Sequence, residues 1–131
     1  MDRIDRVSIV GMGAMGILYG DFFANALGRE QVTFLADSDR ARRYRNTPVY
    51  CNGRKMDFRI QDGAVPDSQG PAQLLLFAVK ATALGDAISV AGNQVGKDTV
   101  ILSVLNGITS EAVIGEALGM DHVLYCVSQG M

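Results

Sequence analysis

At 131 residues the chain is one domain's worth, long enough to bury a core. Its apolar fraction of 48% and charged fraction of 20% are those of an ordinary globular protein. A net charge of −2 implies no general attraction to nucleic acid. The first apolar run is broken by Gly11 after four residues, too early for a signal peptide, and no run reaches the roughly 20 residues of a membrane span. Cys51 and Cys126 fit no metal or redox spacing and read as reduced thiols packed in a cytoplasmic protein. There is no internal repeat and no low-complexity tract.

The first predicted element is a strand over Val7–Val10, which runs straight into Gly11, Gly13 and Gly16. A strand, a glycine turn and a helix in that order build a cradle for a pyrophosphate. Gly11 permits the tight turn, Gly13 lets the backbone approach the phosphates, and Gly16 lets the helix lie close on the strand. The unpaired N–H groups of the helix's first turn, at the positive end of its dipole, then face the negative charge. The helix is predicted from Ala14 to Leu27, stopped by Gly28. Its polar residues Asp21 and Asn25 stand at i, i+4, which predicts one wet stripe on an otherwise buried helix.

A second strand is predicted over Gln31–Ala36, rich in β-branched and aromatic residues. Asp37 ends it, 21 residues after Gly16, where the adenosine ribose arrives in a dinucleotide fold. A carboxylate there accepts hydrogen bonds from both ribose hydroxyls, which favours NAD, and it repels a 2′-phosphate. Arg40, Arg42 and Arg43 follow within two turns, and guanidinium groups bind phosphate well. Those arginines read equally as a solvated helix face, so the residues alone leave the 2′ group open.

From Val49 to Ile60 the pattern predicts a small antiparallel flap around Asn52-Gly53 in place of a standard crossover helix. Residues 62 to 71 read as a loop. The apolar run Leu74–Val79 predicts a strand buried on both faces of a parallel sheet, with Lys80 emerging at its C-terminal edge. Lys80 is either a cofactor contact or a solubilising end charge. A helix from Ala83 to Ala91 follows, then a turn at Gly96-Lys97-Asp98 and an apolar strand over Thr99–Leu105. Asn106 ends that strand at the same edge; its amide can fix a carbonyl or hydroxyl of a ligand, or simply make the Asn-Gly turn. Thr109 or Ser110 is predicted to cap a helix that Gly119 closes after Leu118. His122 precedes a last strand over 123–128 and reads as structural. Alternating helices and near-continuously apolar strands predict an α/β, Rossmann-type, doubly wound and mainly parallel sheet with a small hairpin insertion.

Three motifs together carry a resemblance: Gly11-Met12-Gly13-Ala14-Met15-Gly16, Phe77-Ala78-Val79-Lys80 and Leu105-Asn106-Gly107-Ile108. The chain resembles the N-terminal, dinucleotide-binding half of the ketopantoate reductase (2-dehydropantoate 2-reductase) family. That resemblance implies NADPH-dependent reduction of 2-dehydropantoate to pantoate, in the biosynthesis of pantothenate and coenzyme A. It implies that residues Gly11, Met12, Gly13, Ala14, Met15 and Gly16 hold the pyrophosphate, that Lys80 meets the adenosine phosphate end, and that Asn106 touches both the nicotinamide side and the substrate, a small 2-oxo acid.

Where several members of the family carry a basic residue, this chain has Asp37; Arg40 could substitute, so NADP(H) is favoured by the resemblance and NAD(H) by Asp37. The family also has a C-terminal helical domain that supplies the proton-donating lysine and most of the substrate pocket. The chain is therefore expected to be a fragment, residues 1–131 of a longer two-domain enzyme, with no catalytic acid and no metal site of its own. A homodimer is compatible with the sequence. Two other readings stay open: the same half of another 2-oxo acid or sugar-phosphate reductase, and a nucleotide-sensing module without chemistry.

Overall fold

The computed structural model describes residues 5–11, 14–46, 49–51, 54–56, 58–65, 70–79, 84–97, 99–103 and 108–119. The central strand β1 (Val7–Val10) is buried at all four positions, because β2 (Val32–Ala36) and β6 (Leu74–Phe77) pair with it on either side, both parallel. Outside them lie β5 (Arg59–Asp62) and β7 (Val100–Ser103), giving one five-stranded, all-parallel sheet in the order β5-β2-β1-β6-β7. The chain thus winds outward from β1 in one direction and returns to wind outward in the other. That reversal leaves a crevice above the C-terminal ends of the strands.

Alternate residues of these strands feed two cores. Val7, Ile9, Val32, Phe34, Leu74 and Leu76 meet Tyr19, Phe23 and Leu27 of α1 (Ala14–Leu27) on one face. Val10, Leu35, Leu75 and Phe77 meet α3 (Leu84–Ala91) and α4 (Ile108–Leu118) on the other. This is why the strands are apolar at nearly every position. The one polar residue inside β1, Ser8, is 3% exposed, and its hydroxyl donates to the buried Gln94 side chain at 2.9 Å.

Helix α1 has the predicted bounds, and Gly28, at φ +102°, ends it with its N–H on the Ala24 carbonyl. Its wet side differs from the expectation. Asp21 is only 9% exposed, whereas Leu18 and Phe22 are 54% and 64% exposed, with Asn25 beside them. Gly16, Gly20 and Ala24 form the ridge that lies on the sheet; a Cβ on Gly20 would come within 2.8 Å of the Phe34 ring. The opposite side of the helix then falls on Leu18, Phe22 and Asn25, and Asp21 falls between the two.

Other departures concern edges. Gln31 belongs to a short 3₁₀ turn, and β2 begins at Val32. The crossover from β2 carries a true helix, α2 (Ser38–Asn46), before the predicted hairpin of β3 (Val49–Cys51) and β4 (Arg54–Met56). Residues 59–62, read as flap and loop, form β5 in the main sheet. As an edge strand it is half-buried and polar; Arg59 donates to the Thr33 hydroxyl at 2.9 Å. Strand β6 stops earlier than expected, at Phe77; the expected end of β7 at Leu105 lies outside the described residues; and Thr109 and Ser110 lie inside α4, which starts at Ile108, so neither is its cap. Gly119 closes α4 as predicted, at φ +109°. His122, Cys126 and the strand expected over 123–128 lie outside the described residues. Among the described residues no helix is long and apolar enough to cross a membrane.

Candidate functional site

An open groove lies at the C-terminal edge of the sheet, at the crevice the strand order creates. Its base is the end of β1, Val10 and Gly11, and the end of β2, Leu35 to Asp37. One wall is α2, through Arg40 and Tyr44. The other is Val79, just past β6, with Asp86, Ala87 and Val90 of α3.

Gly11 sits at φ +111°, a conformation that side chains other than glycine's rarely adopt. A Cβ there would stand 2.3 Å from the Ala78 carbonyl oxygen, so the turn out of β1 is pressed against the chain leaving β6. Gly16 is not among the residues that line this groove. Its role is the predicted one of close approach, since a Cβ would fall 1.8 Å from the Gly11 carbonyl oxygen. Together the two glycines hold the first turn of α1 at the groove's mouth. That turn carries no acidic side chain, so no internal carboxylate competes for its N–H groups. Ala14 and Met15 open the helix; Met12 and Gly13 lie outside the described residues.

Asp37 precedes α2 and acts as its N-cap. The Arg40 main-chain N–H donates to Asp37 Oδ1 at 2.8 Å, and Arg40 Nε stands 3.6 Å from Asp37 Oδ2. Both side chains stay about half exposed, at 49% and 47%. Of the three arginines proposed for a phosphate, only Arg40 lines the groove; Arg42 and Arg43 are exposed elsewhere on α2. The helix is pinned on its other side by the fully buried Ala41.

The far wall depends on Gly63. A Cβ on Gly63 would meet the Val90 carbonyl oxygen at 2.2 Å, and Asn93 Nδ2 donates to the Gly63 carbonyl at 2.9 Å. This close contact draws the C-terminal part of α3 against the end of β5.

The structure therefore brings Gly11, Asp37 and Arg40 to one groove, while Lys80 and Asn106 lie outside the described residues. Sequence reasoning missed Tyr44, Asp86 and Gly63. Tyr44 had a signal, its i, i+4 spacing from Arg40 on one helix face. Asp86 and Gly63 had none, because their relevance comes from packing between distant segments.

A model of the family "Ketopantoate reductase PanE/ApbA" matches residues 7–130. Among solved structures, the chain is similar to D-mandelate dehydrogenase in a ternary structure with NADH and anilino(oxo)acetate (20% identity, TM-score 0.74), covering 93% of this chain and 40% of that one. It is similar to 2-dehydropantoate 2-reductase from Geobacter metallireducens GS-15 (24% identity, TM-score 0.69), covering 96% and 44%. It is also similar to 2-dehydropantoate 2-reductase from Porphyromonas gingivalis W83 (21% identity, TM-score 0.65), covering 94% and 46%. At these identities the likeness is one of fold, and the chain spans less than half the length of each of these structures.

Proposed function

Because the chain belongs to the ketopantoate reductase family, we propose that it is the cofactor-binding half of an NADPH-dependent 2-dehydropantoate 2-reductase. The observation that carries this reading is the convergence of Gly11, Asp37 and Arg40 on one groove at the sheet's switch point. The residues fit a nicotinamide dinucleotide. The acid-free first turn of α1 suits a pyrophosphate, and Asp37 suits ribose hydroxyls. Arg40, held at the groove by its contact with Asp37, suits a 2′-phosphate.

The bound cofactor supplies hydride for reduction of a ketone to an alcohol. The chain's own residues bind and orient: the helix mouth neutralises diphosphate charge, and the Asp37–Arg40 pair fixes the adenosine end. By the family resemblance Lys80 steadies the phosphate end, and Asn106 holds the nicotinamide side and the substrate carbonyl. Proton delivery to the forming alkoxide is assigned to the helical domain that the family carries. The chain by itself then binds cofactor without appreciable turnover.

Titration with NADPH and NADH tests the reading. If Arg40 dominates, NADPH binds tighter, by roughly tenfold or more for a charge-assisted contact. Equal failure of both to bind would sink it, and so would measurable pantoate formation by the 131-residue chain alone as regards the division of labour.

A second reading draws on the similarity to D-mandelate dehydrogenase with NADH. Under it, the domain serves a reductase of another 2-oxo acid and takes NADH through Asp37. Assay of the full-length protein on a panel of 2-oxo acids separates the two.

A further inference from the structure

Of the nine residues of α2, all of them described, only Ala41 is buried. One small side chain sets how far the helix stands from the core and leaves its tilt to polar ties. Two such ties run to β5. At the N-terminal end the Ser38 hydroxyl donates to Asp62 Oδ2 at 2.6 Å, and at the C-terminal end Arg45 Nη2 donates to the Ile60 carbonyl at 3.0 Å. Asp62 is itself fixed. Its Oδ1 accepts the Ala64 N–H at 2.9 Å, and the chain beside it is locked to β2 by the Gly63 N–H on the Ala36 carbonyl at 2.9 Å. Neither Ser38 nor Asp62 lines the groove.

Ser38 stands between two groove residues that depend on α2 differently. Asp37 follows directly on Ala36, whose place in the sheet is set by β1 and β5 around β2, so its main chain is held even if α2 tilts. Arg40 lies further along the first turn, and the position of its guanidinium follows the direction of the helix. Loosening the start of α2 therefore moves Arg40 more than it moves Asp37.

We propose that Asp62, acting through Ser38, is a positioning residue that sets the groove's preference between a dinucleotide with a 2′-phosphate and one with a free 2′-hydroxyl. The proposal rests on the cofactor reading above, in which Asp37 and Arg40 make that choice. It adds to that reading a residue outside the groove that governs the choice by holding α2 in place.

The test is a double-mutant cycle read on the ratio of the NADH and NADPH dissociation constants. Ser38→Ala removes the tie and keeps the Asp62 charge. Ser38 is exposed and alanine is a good helix former, so this variant should stay folded. It is expected to move the preference about threefold toward NADH, the scale of a partly exposed charge contact. Asp62→Ala is expected to move it the same way by a similar factor. The double variant should go no further than either single one, because one bond is lost in all three. Ser38→Thr, which keeps a hydroxyl, is expected to restore the wild-type ratio. Repulsion of the 2′-phosphate by the Asp62 charge would give a different pattern: Asp62→Ala would move toward NADPH and Ser38→Ala would not move, which overturns the proposal. A role confined to stability would lower the melting temperature of both variants and leave the ratio unchanged, which overturns it too, with the cofactor reading standing. Failure of the wild type to bind either nucleotide overturns both.

Discussion

Arg40 holds Asp37 twice, through its main-chain N–H to Oδ1 at 2.8 Å and through Nε at 3.6 Å from Oδ2. The acid proposed to favour a free ribose and the base proposed to favour a 2′-phosphate are therefore one unit at the start of α2. Asp37 caps the helix that presents Arg40, so the residue that repels the phosphate also positions the one that would attract it.

Substitution can separate those two roles. Asparagine is as good an N-cap as aspartate, so Asp37→Asn should leave stability within about 0.5 kcal/mol while removing the negative charge. Its preference should move toward NADPH by roughly threefold to tenfold, the range for a partly exposed charge contact. Asp37→Ala should make the same shift and also lose about 1 kcal/mol of stability through the missing cap. Paired urea denaturation and fluorescence titration read the two effects apart.

Gly11→Ala places a side chain at φ +111° and 2.3 Å from the Ala78 carbonyl oxygen. Backbone cannot yield as a flexible side chain does. Conformational strain and overpacking together should cost about 3 kcal/mol. Denaturant midpoints should show that loss, and any folded fraction should bind cofactor more weakly because the mouth of α1 has shifted.

Gly63→Ala acts on the opposite wall, where its Cβ would meet the Val90 carbonyl oxygen at 2.2 Å. The end of α3 must move away from β5, at a cost of about 1–3 kcal/mol. Val90 lines the groove, so nucleotide affinity should fall although Gly63 is not among the groove-lining residues. An unchanged affinity in a folded Gly63→Ala variant would show that α3 is not held by this contact.

Asp62 ties the end of β5 to the start of α2. The Ser38 hydroxyl donates to its Oδ2 at 2.6 Å and the Ala64 N–H to its Oδ1 at 2.9 Å. The Ser38 bond, then the Ala64 bond, hold the carboxyl below its ordinary value of 3.8; partial desolvation opposes them and Arg45 adds a small attraction. A depressed folded-state pKa gives stability that is complete above the unfolded value and is lost as pH falls through the folded one. The stability gap between wild type and Asp62→Asn should thus be open near about pH 7 and close in acid, as the pH drops below about 4. Urea denaturation across that range reads the gap directly.

How much of this was legible beforehand depended on whether each signal was local. Gly11 and Gly16 announced themselves because a glycine triplet behind an apolar strand constrains its own backbone, and the structure shows both pressed against main chain. The strands Val7–Val10, Val32–Ala36 and Leu74–Phe77 were legible because burial on both faces demands unbroken apolar runs. Strand β5 was hidden because an edge position lets Arg59, Gln61 and Asp62 stay polar, so it carried no apolar pattern at all. The wet side of α1 was misjudged for a related reason. Polarity marked Asp21, but the small-residue ridge of Gly16, Gly20 and Ala24 decided the helix's rotation.

The sequence by itself determined the layered parallel architecture, the glycine turn after β1 and the placing of arginines within two turns of Asp37, since each is written within a turn or a strand of its neighbours. Only the tertiary structure decided which arginine faces the groove and that Tyr44, Asp86 and Val90 complete it. It also decided that Gly63 brings α3 into place. Those outcomes come from main-chain approaches between segments tens of residues apart, and such distances are set by packing, to which no local pattern is sensitive.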